Sequence, residues 1–213
     1  DLLEQRALGS VHRFESRFER WRPEVSRRAW RESPDPADAG GVLYDLGSHL
    51  IDQALVLFGP VKSVYAELRN VRPGAQVDDD AFIALAHRSG AVSHLWASLV
   101  AASPGPRMRV LGMAASFVKF GLDVQESLLR QGIDTGSADW GSEPERHWGC
   151  ISVGAEPQPV ATVPGRYQRF YELVAEALLG VGPMPVEIDD AIATLRVIEA
   201  ARASALEHTV IHT

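Results

Sequence analysis

The stretch "DAFIALAHRSGAVSHLWASLV", residues 80–100, is two apolar runs of strand length separated by Ser89-Gly90. A Ser-Gly link of this kind predicts a tight hairpin, which pairs its strands antiparallel. Parallel neighbours would need a crossover of roughly a dozen residues. "VKSVYAELRN" (61–70) precedes this pair, and "PRMRVLGM" (106–113) and "SFVKF" (116–120) follow it with short links. Further upstream, "VHRFESRFERW" (11–21) alternates strictly. His12, Phe14, Ser16 and Phe18 point one way and Arg13, Glu15, Arg17 and Glu19 the other, the period-two pattern of a strand with one wet face. Eight of the 21 basic residues fall in the first 31 positions. The interleaved acids make that cluster a solvated ladder rather than a phosphate or nucleic-acid site.

Helical spacing appears in three places. "GGVLYDLGSHLIDQALVLFG" (40–59) predicts a helix over 42–58, with Leu46, Leu50, Ile51, Ala54, Leu57 and Phe58 as its apolar stripe and Gly59-Pro60 as its stop. "GRYQRFYELVAEALLG" (165–180) places Tyr167, Phe170, Tyr171, Val174 and Leu178 at helical spacing. "PVEIDDAIATLRVIEAARASAL" (185–206) offers Asp189 as a cap and Ile192, Leu195, Ile198 and Ala205 as a buried side. Residues 121–158 read as irregular, with at most a helical turn at "VQESLLRQG". The order predicts an α+β domain: a large, mainly antiparallel open sheet with helices packed on one face.

The 213 residues carry a net charge of −7, which argues against a nucleic-acid or anionic-membrane partner. Cys150 is the only cysteine, so no intrachain disulfide forms and a reducing, cytoplasmic setting is expected. No apolar run approaches the roughly 20 residues of a membrane-spanning helix. The opening "DLLEQRALGSV" reads as the tail of a helix ended by Gly9, a mid-protein beginning that leads us to expect more chain upstream. No G-x-G-x-x-G follows a strand, no P-loop is present and no Cys/His zinc spacing occurs.

One helix carries a chemical question. Asp45, His49 and Asp52 fall at i, i+4 and i+7, so they share a face. An Asp beside a His makes an acid–base pair. The same two residues also suit a helix-dipole acid beside a packed imidazole, or half of a metal site. Gly40, Gly41 and Gly47 would let a ligand approach the helix start, and Gly47 costs about 1 kcal/mol of helix propensity. Pattern alone leaves these readings open.

Together with its flanks, the helix resembles the glucose–fructose oxidoreductase/inositol dehydrogenase/MocA family. The resemblance runs through five segments in the family's order. They are "LGSVHRFESRFERWRPEVSRRAWRE", the helix at 40–59, "DDDAFIAL", the pair "PRMRVLGMAASFVKFGLDVQESLLRQG" and "ADWGSEPERHWG", and "GRYQRFYELVAEALLGVGPMPVEIDDAIATLRVIEAARASA". The fourth segment is similar to the subgroup that includes NADP-dependent scyllo-inositol dehydrogenases. The resemblance implies that residues 1–213 form a C-terminal substrate-binding and oligomerisation domain, with 1–9 as the tail of a linking helix and a Rossmann domain upstream. Asp45 and His49 match two members of the family's Lys–Asp–His set; the lysine and the glycine-rich turn have no counterpart here. His49 would then exchange a proton with a substrate hydroxyl, and Asp45 would hold the imidazole or bind a neighbouring hydroxyl, with no metal. Trp30, Arg22 and Tyr167 are candidates for lining the pocket, and Asp52 is assigned to helix structure. Arg6, Ala115 and Ile133-Asp134-Thr135 depart from the family's usual glycines and loop proline.

The resemblance therefore implies an NAD(P)-dependent oxidoreductase acting on a sugar, inositol or similar polyol, with NADP favoured by the subgroup. The cofactor, NADP or NAD, would be bound by the upstream domain and by no residue of this chain, so the isolated chain is expected to be inactive. A homo-oligomer is expected through the open sheet face, where "SHLWASL" and "VYAELRN" supply apolar residues. The alternative is a non-catalytic dimerisation or small-ligand-binding module that has lost its nucleotide domain.

Overall fold

The computed structural model describes residues 2–26, 30–137, 139–154 and 156–213. Nine strands form one open sheet among the described residues, in the order β8-β7-β6-β5-β1-β4-β3-β2-β9. They are β1 Val11–Glu19, β2 Val61–Arg69, β3 Asp80–His87, β4 Val92–Ser98, β5 Met108–Gly112, β6 Ser116–Lys119, β7 Gly149–Ser152, β8 Gln158–Val160 and β9 Ile211–His212. All pairings are antiparallel except β1 with β4, which run parallel. Short links hold only between sequence neighbours. β1 is joined to β4 through a helix and a hairpin, long enough to set the two side by side in one direction.

The hairpin forms as its sequence predicts, with Gly90 at φ +94° and His87 N donating to Ala91 O at 2.9 Å. Cross-strand register then sorts the side chains into two faces. Ala66, Ile83, Leu95 and Ser16 line up on the inner face, whereas Glu67, Phe82, Trp96 and Arg17 line up on the outer one. The inner row is buried and the outer row is not.

Two helices cover the inner face. The helix after the glycine pair opens with a π-helical turn, Leu43–Gly47, and continues as α1, Ser48–Phe58. Leu50, Ile51 and Ala54 are fully buried, and each of the two larger side chains contributes roughly 1.5–3 kcal/mol. The wide first turn explains Gly47, whose added Cβ would meet Leu43 Cδ1 at 3.1 Å and Ile83 Cδ1 at 3.7 Å. Close packing on β3, rather than ligand approach, accounts for that glycine.

The C-terminal helix α4, Ile188–Glu207, packs on β2, β9 and α1. Its buried side is Thr194, Val197, Ile198, Ala201 and Ser204. This corrects the sequence expectation, because Ile192 and Leu195 are 40% and 52% exposed. The buried side mixes Val197 and Ile198 with small residues, and a small one lies where α4 comes close to β2: Ala66 N donates to Ser204 Oγ at 3.0 Å. Asp189 sits in the first turn, and Glu187 holds the cap position without a side-chain bond. Helix α3, Tyr167–Leu178, buries none of its side chains.

The segment 121–158 has more order than its composition predicts: a short helix α2, Gln125–Arg130, and then β7. Gln125 is buried, bonded to Asp123 and to the peptide N–H of Tyr167. At the start of the chain, Ala7 N donates to Leu2 O and Arg6 N to Leu3 O, with Arg6 at φ +53°. That is the bonding that closes a helix, with Arg6 three residues ahead of the expected Gly9, which is also left-handed at φ +69°.

His87 fixes the far end of α1. Its Nδ1 lies 2.8 Å from the carbonyl of Gly59 and its Nε2 2.7 Å from Ser93 Oγ. A neutral imidazole donating to the carbonyl and accepting from the hydroxyl satisfies both. Burial lowers the His87 pKa, only partly offset by the Gly59 bond. The unfolded chain therefore binds more protons, and the stability is full above the ordinary imidazole value of 6.5 and is lost as pH falls from there toward the depressed folded value. His94 is lowered too, first by burial and then by Arg13, and acts in the same direction. Urea unfolding between pH 8 and 5 is expected to show a shallower pH slope for His87→Gln than for the wild type; equal slopes would remove His87 from the account.

Candidate functional site

Three consecutive acids, Asp78-Asp79-Asp80, organise the site from the start of β3. Asp78 turns to the functional helix: Leu43 N donates to its Oδ2 at 2.7 Å and Val42 N to its carbonyl at 2.8 Å. Burial raises its pKa, against the lowering effect of those bonds. Gly41, at φ +102°, leaves room for this carboxylate, since a Cβ there would lie 2.3 Å from Asp78 Oδ1. The glycine pair thus serves the chain's own packing.

Asp79 points the other way and is fully buried. It accepts from Val71 N at 2.7 Å, Arg72 N at 3.0 Å and Arg72 Nε at 2.9 Å. The Arg72 guanidinium continues to Glu32 through two parallel bonds of 3.0 and 2.8 Å. It also donates to the carbonyls of Arg22 at 3.4 Å and Glu24 at 3.2 Å. Burial alone would lower its pKa; the bonds and charges of Glu32 and Asp79 more than offset this and raise it. Asp80, the third acid, pairs with Arg69 at the surface.

The loop tied down by Arg72 carries Trp30 and Arg31 in a short 3₁₀ turn, Trp30–Glu32. Arg31 stacks on Trp30, 4.4 Å from the ring centroid, and its Nε donates to Asp45 Oδ1 at 2.6 Å. Of the two roles the resemblance implied for Asp45, holding the imidazole or binding a neighbouring hydroxyl, the first has no hydrogen bond behind it: among the described residues none joins Asp45 to His49. Asp45 lies in the π-helical turn and is engaged from the side by Arg31 instead. His49 sits one turn further along, exposed, with its ring 6.2 Å from that of Phe18 on β1. It has no hydrogen-bond partner among the described residues. Asp52 is exposed.

Arg20 follows Phe18 on the same face, 4.9 Å from its ring centroid. Its pKa is lowered by burial and then by Arg22, against the raising effect of Asp45 and Glu126. Tyr167 is half exposed, and its pKa is raised first by burial and then by Asp123 and Glu126. Direct contacts link Trp30 to Arg31 and Arg31 to Asp45, and His49 and Arg20 share the ring of Phe18; among the described residues none joins Tyr167 or the Arg22 side chain to them. Arg22 enters chiefly by its backbone, with its N–H donating to Leu99 O at 2.7 Å.

Sequence reasoning missed Arg20, Arg31, Arg72 and Glu126. Strand parity, which puts Arg20 on the face of Phe18, was the available signal for the first. A groove of about 570 Å³ lies beside the pair rather than over it, lined in part by Tyr44, Asp78, Glu199 and Arg202. Among the described residues no group of three or more His, Cys, Asp or Glu could hold a metal ion, and no helix is long and apolar enough to cross a membrane.

Residues 1–213 match the family described as "Oxidoreductase family, C-terminal alpha/beta domain". Escherichia coli YdgJ, an uncharacterized oxidoreductase, is 39% identical over 207 residues, covering 96% of this chain and 58% of that protein. The Bacillus subtilis scyllo-inositol 2-dehydrogenase (NADP(+)) IolW is 34% identical over 214 residues, covering 99% and 59%. The solved structure of Bacillus subtilis yvaA superposes with a TM-score of 0.90 at 31% identity, covering all of this chain and 60% of that one. The chain thus spans less than two thirds of the length of these relatives.

Proposed function

The chain belongs to this oxidoreductase family as its C-terminal α/β domain, and from that membership we propose that it is the substrate side of a nicotinamide-dependent enzyme acting on a CH–OH group of a sugar, inositol or similar polyol. One observation carries the reading. His49 presents an exposed imidazole with no partner among the described residues, beside an Asp45 already fixed by Arg31. An unengaged imidazole at the mouth of a site is available to a ligand. The name of IolW, an NADP(+)-dependent scyllo-inositol dehydrogenase, supports the substrate class and favours NADP over NAD.

In this reading His49 accepts the proton of the substrate hydroxyl as the carbon gives up its hydride, and returns it in the reverse direction. Asp45 keeps its second oxygen free to accept from a neighbouring hydroxyl, which fixes the ring. Arg31 holds Asp45 in place and Trp30 supports Arg31. The exposed Trp30, Arg31 and His49 leave the mouth open to a nicotinamide, which when bound supplies or accepts the hydride. The chain has no glycine-rich dinucleotide turn, so the rest of the cofactor is assigned to a preceding domain. The 213-residue chain alone is then inactive, and chemistry belongs to the longer protein.

The outer sheet face is proposed to meet a second copy of the chain. Phe82 and Trp96 stack there at 5.3 Å between ring centroids, and Arg17 lies 4.0 Å over Trp96. Beside them Arg13, Arg17 and Arg109 all pair with the one carboxylate of Glu15, and a face used by both copies of a symmetric pair would meet itself there.

In the longer protein, His49→Ala is expected to lower polyol turnover by about 100-fold or more with cofactor affinity retained. An unchanged rate would remove His49 from the mechanism. Sedimentation of the same protein is expected to show an oligomer that Trp96→Glu dissociates; a monomeric wild type would refute the sheet-face contact.

A further inference from the structure

The charges around the mouth are unevenly paired. Asp45 is taken by Arg31 at 2.6 Å, and Glu126 by Arg130 at 2.5 Å. These are the two carboxylates that act on Arg20, and neither is bonded to it. Among the described residues Arg20 makes no ion pair and no side-chain hydrogen bond. It sits over the ring of Phe18 instead, its Cζ 4.9 Å from the centroid, and is half-buried.

A second guanidinium approaches the same ring: Arg107 lies 5.3 Å from the Phe18 centroid. Its terminal nitrogens donate only to neutral oxygens, Ser16 Oγ at 2.5 Å and Gln53 Oε1 at 3.0 Å. Burial lowers its pKa with no acid to counter it. Two guanidiniums without a carboxylate thus flank one phenyl ring, and the third group at that ring is the imidazole of His49. In a chain of net charge −7, acids were available to pair them. Withdrawing a cation from water without an anion is unfavourable, and a guanidinium offers five donors in a planar fork suited to carboxylate or phosphate.

We infer that the substrate of this site carries an anionic group, a carboxylate or a phosphate, and that Arg20 holds it while His49 works on a hydroxyl of the same molecule. The inference rests on the reading of His49 and Asp45 given above and narrows it to sugar acids or sugar phosphates. Arg107, behind Phe18, adds long-range attraction and fixes the ring. Arg22 is not the anchor, because its side chain stands in solvent. The anion is assigned to the substrate and not to the dinucleotide, whose pyrophosphate belongs on the glycine-rich turn of a nucleotide domain.

Calorimetric binding of glucose, glucuronate, glucose 6-phosphate and NADPH to the longer protein tests this. The wild type is expected to bind at least one of the two anionic sugars at least about tenfold more tightly than glucose. Arg20→Gln is expected to abolish that preference and to leave glucose and NADPH affinities unchanged, whereas Arg22→Gln keeps it. Equal binding of all three sugars by the wild type, or a preference that survives Arg20→Gln, overturns the inference. So does a loss confined to NADPH, which would give Arg20 to the cofactor. Hydride-transfer assays with the same sugars separate the two readings. Turnover of neutral sugars alone supports His49 and sinks the anion. Arg20-dependent anion binding whose turnover is unaffected by His49→Ala keeps the anion site and sinks His49.

Discussion

Arg72 donates to Asp79 on one side and to Glu32 on the other, and the side chains of Arg72 and Asp79 are 2% and 0% exposed. Removing one member of such a buried pair costs about 3–5 kcal/mol, because it strands the other charge. The same guanidinium holds the carbonyls of Arg22 and Glu24. A loop that buries no side chain within Trp30–Glu32 is thereby tied to the start of β3 at three points. The consequence is local and functional: the tied loop presents Arg31 to Asp45, and Asp78, one residue from Asp79, caps the helix that carries Asp45 and His49. A single acidic run therefore sets both walls of the site relative to one strand.

The sheet divides the remaining work between its faces. The inner row gives α1 and α4 their seat and ends in Phe18 and Arg20, so the site lies where apolar packing gives way to charge. The outer row keeps its aromatics at Phe82 and Trp96, away from the site. The π-helical turn at Leu43–Gly47 lies at the junction. It widens the helix where Asp45 must turn toward Arg31 while His49 stays on Phe18, and widened turns of this kind are frequent at functional positions.

Much of this was readable in the sequence, for a physical reason. The hairpin at 80–100, the alternation of β1 and the helix at 42–58 are fixed by local periodicity, and all three formed. Where the outcome depended on distant partners, periodicity failed. Ile192 and Leu195 look like core by size, yet α4 buries Thr194, Val197, Ile198, Ala201 and Ser204 instead, with Ser204 bonded to β2. The strands β7 and β8 were hidden because they are short and take their order from pairing with β6 and with each other. Asp45 and His49 stand out in the sequence by their spacing, but the contact each one makes does not. No spacing rule announces that an arginine fourteen residues upstream will take the carboxylate first. Asp78-Asp79-Asp80 makes three separate contacts, to the helix start, to Arg72 and to Arg69.

Hydrogen exchange on the longer protein with Arg72→Met tests the central dependence most directly, read alongside polyol turnover. Protection is expected to fall selectively in peptides covering 20–32 and at the start of the helix at 42–58. Strands β3 and β4 should remain protected, and turnover should drop while cofactor affinity holds. Unchanged exchange in that loop with full activity would contradict it, as would uniform loss of protection across the sheet, since either result would mean that Arg72 does not position the site.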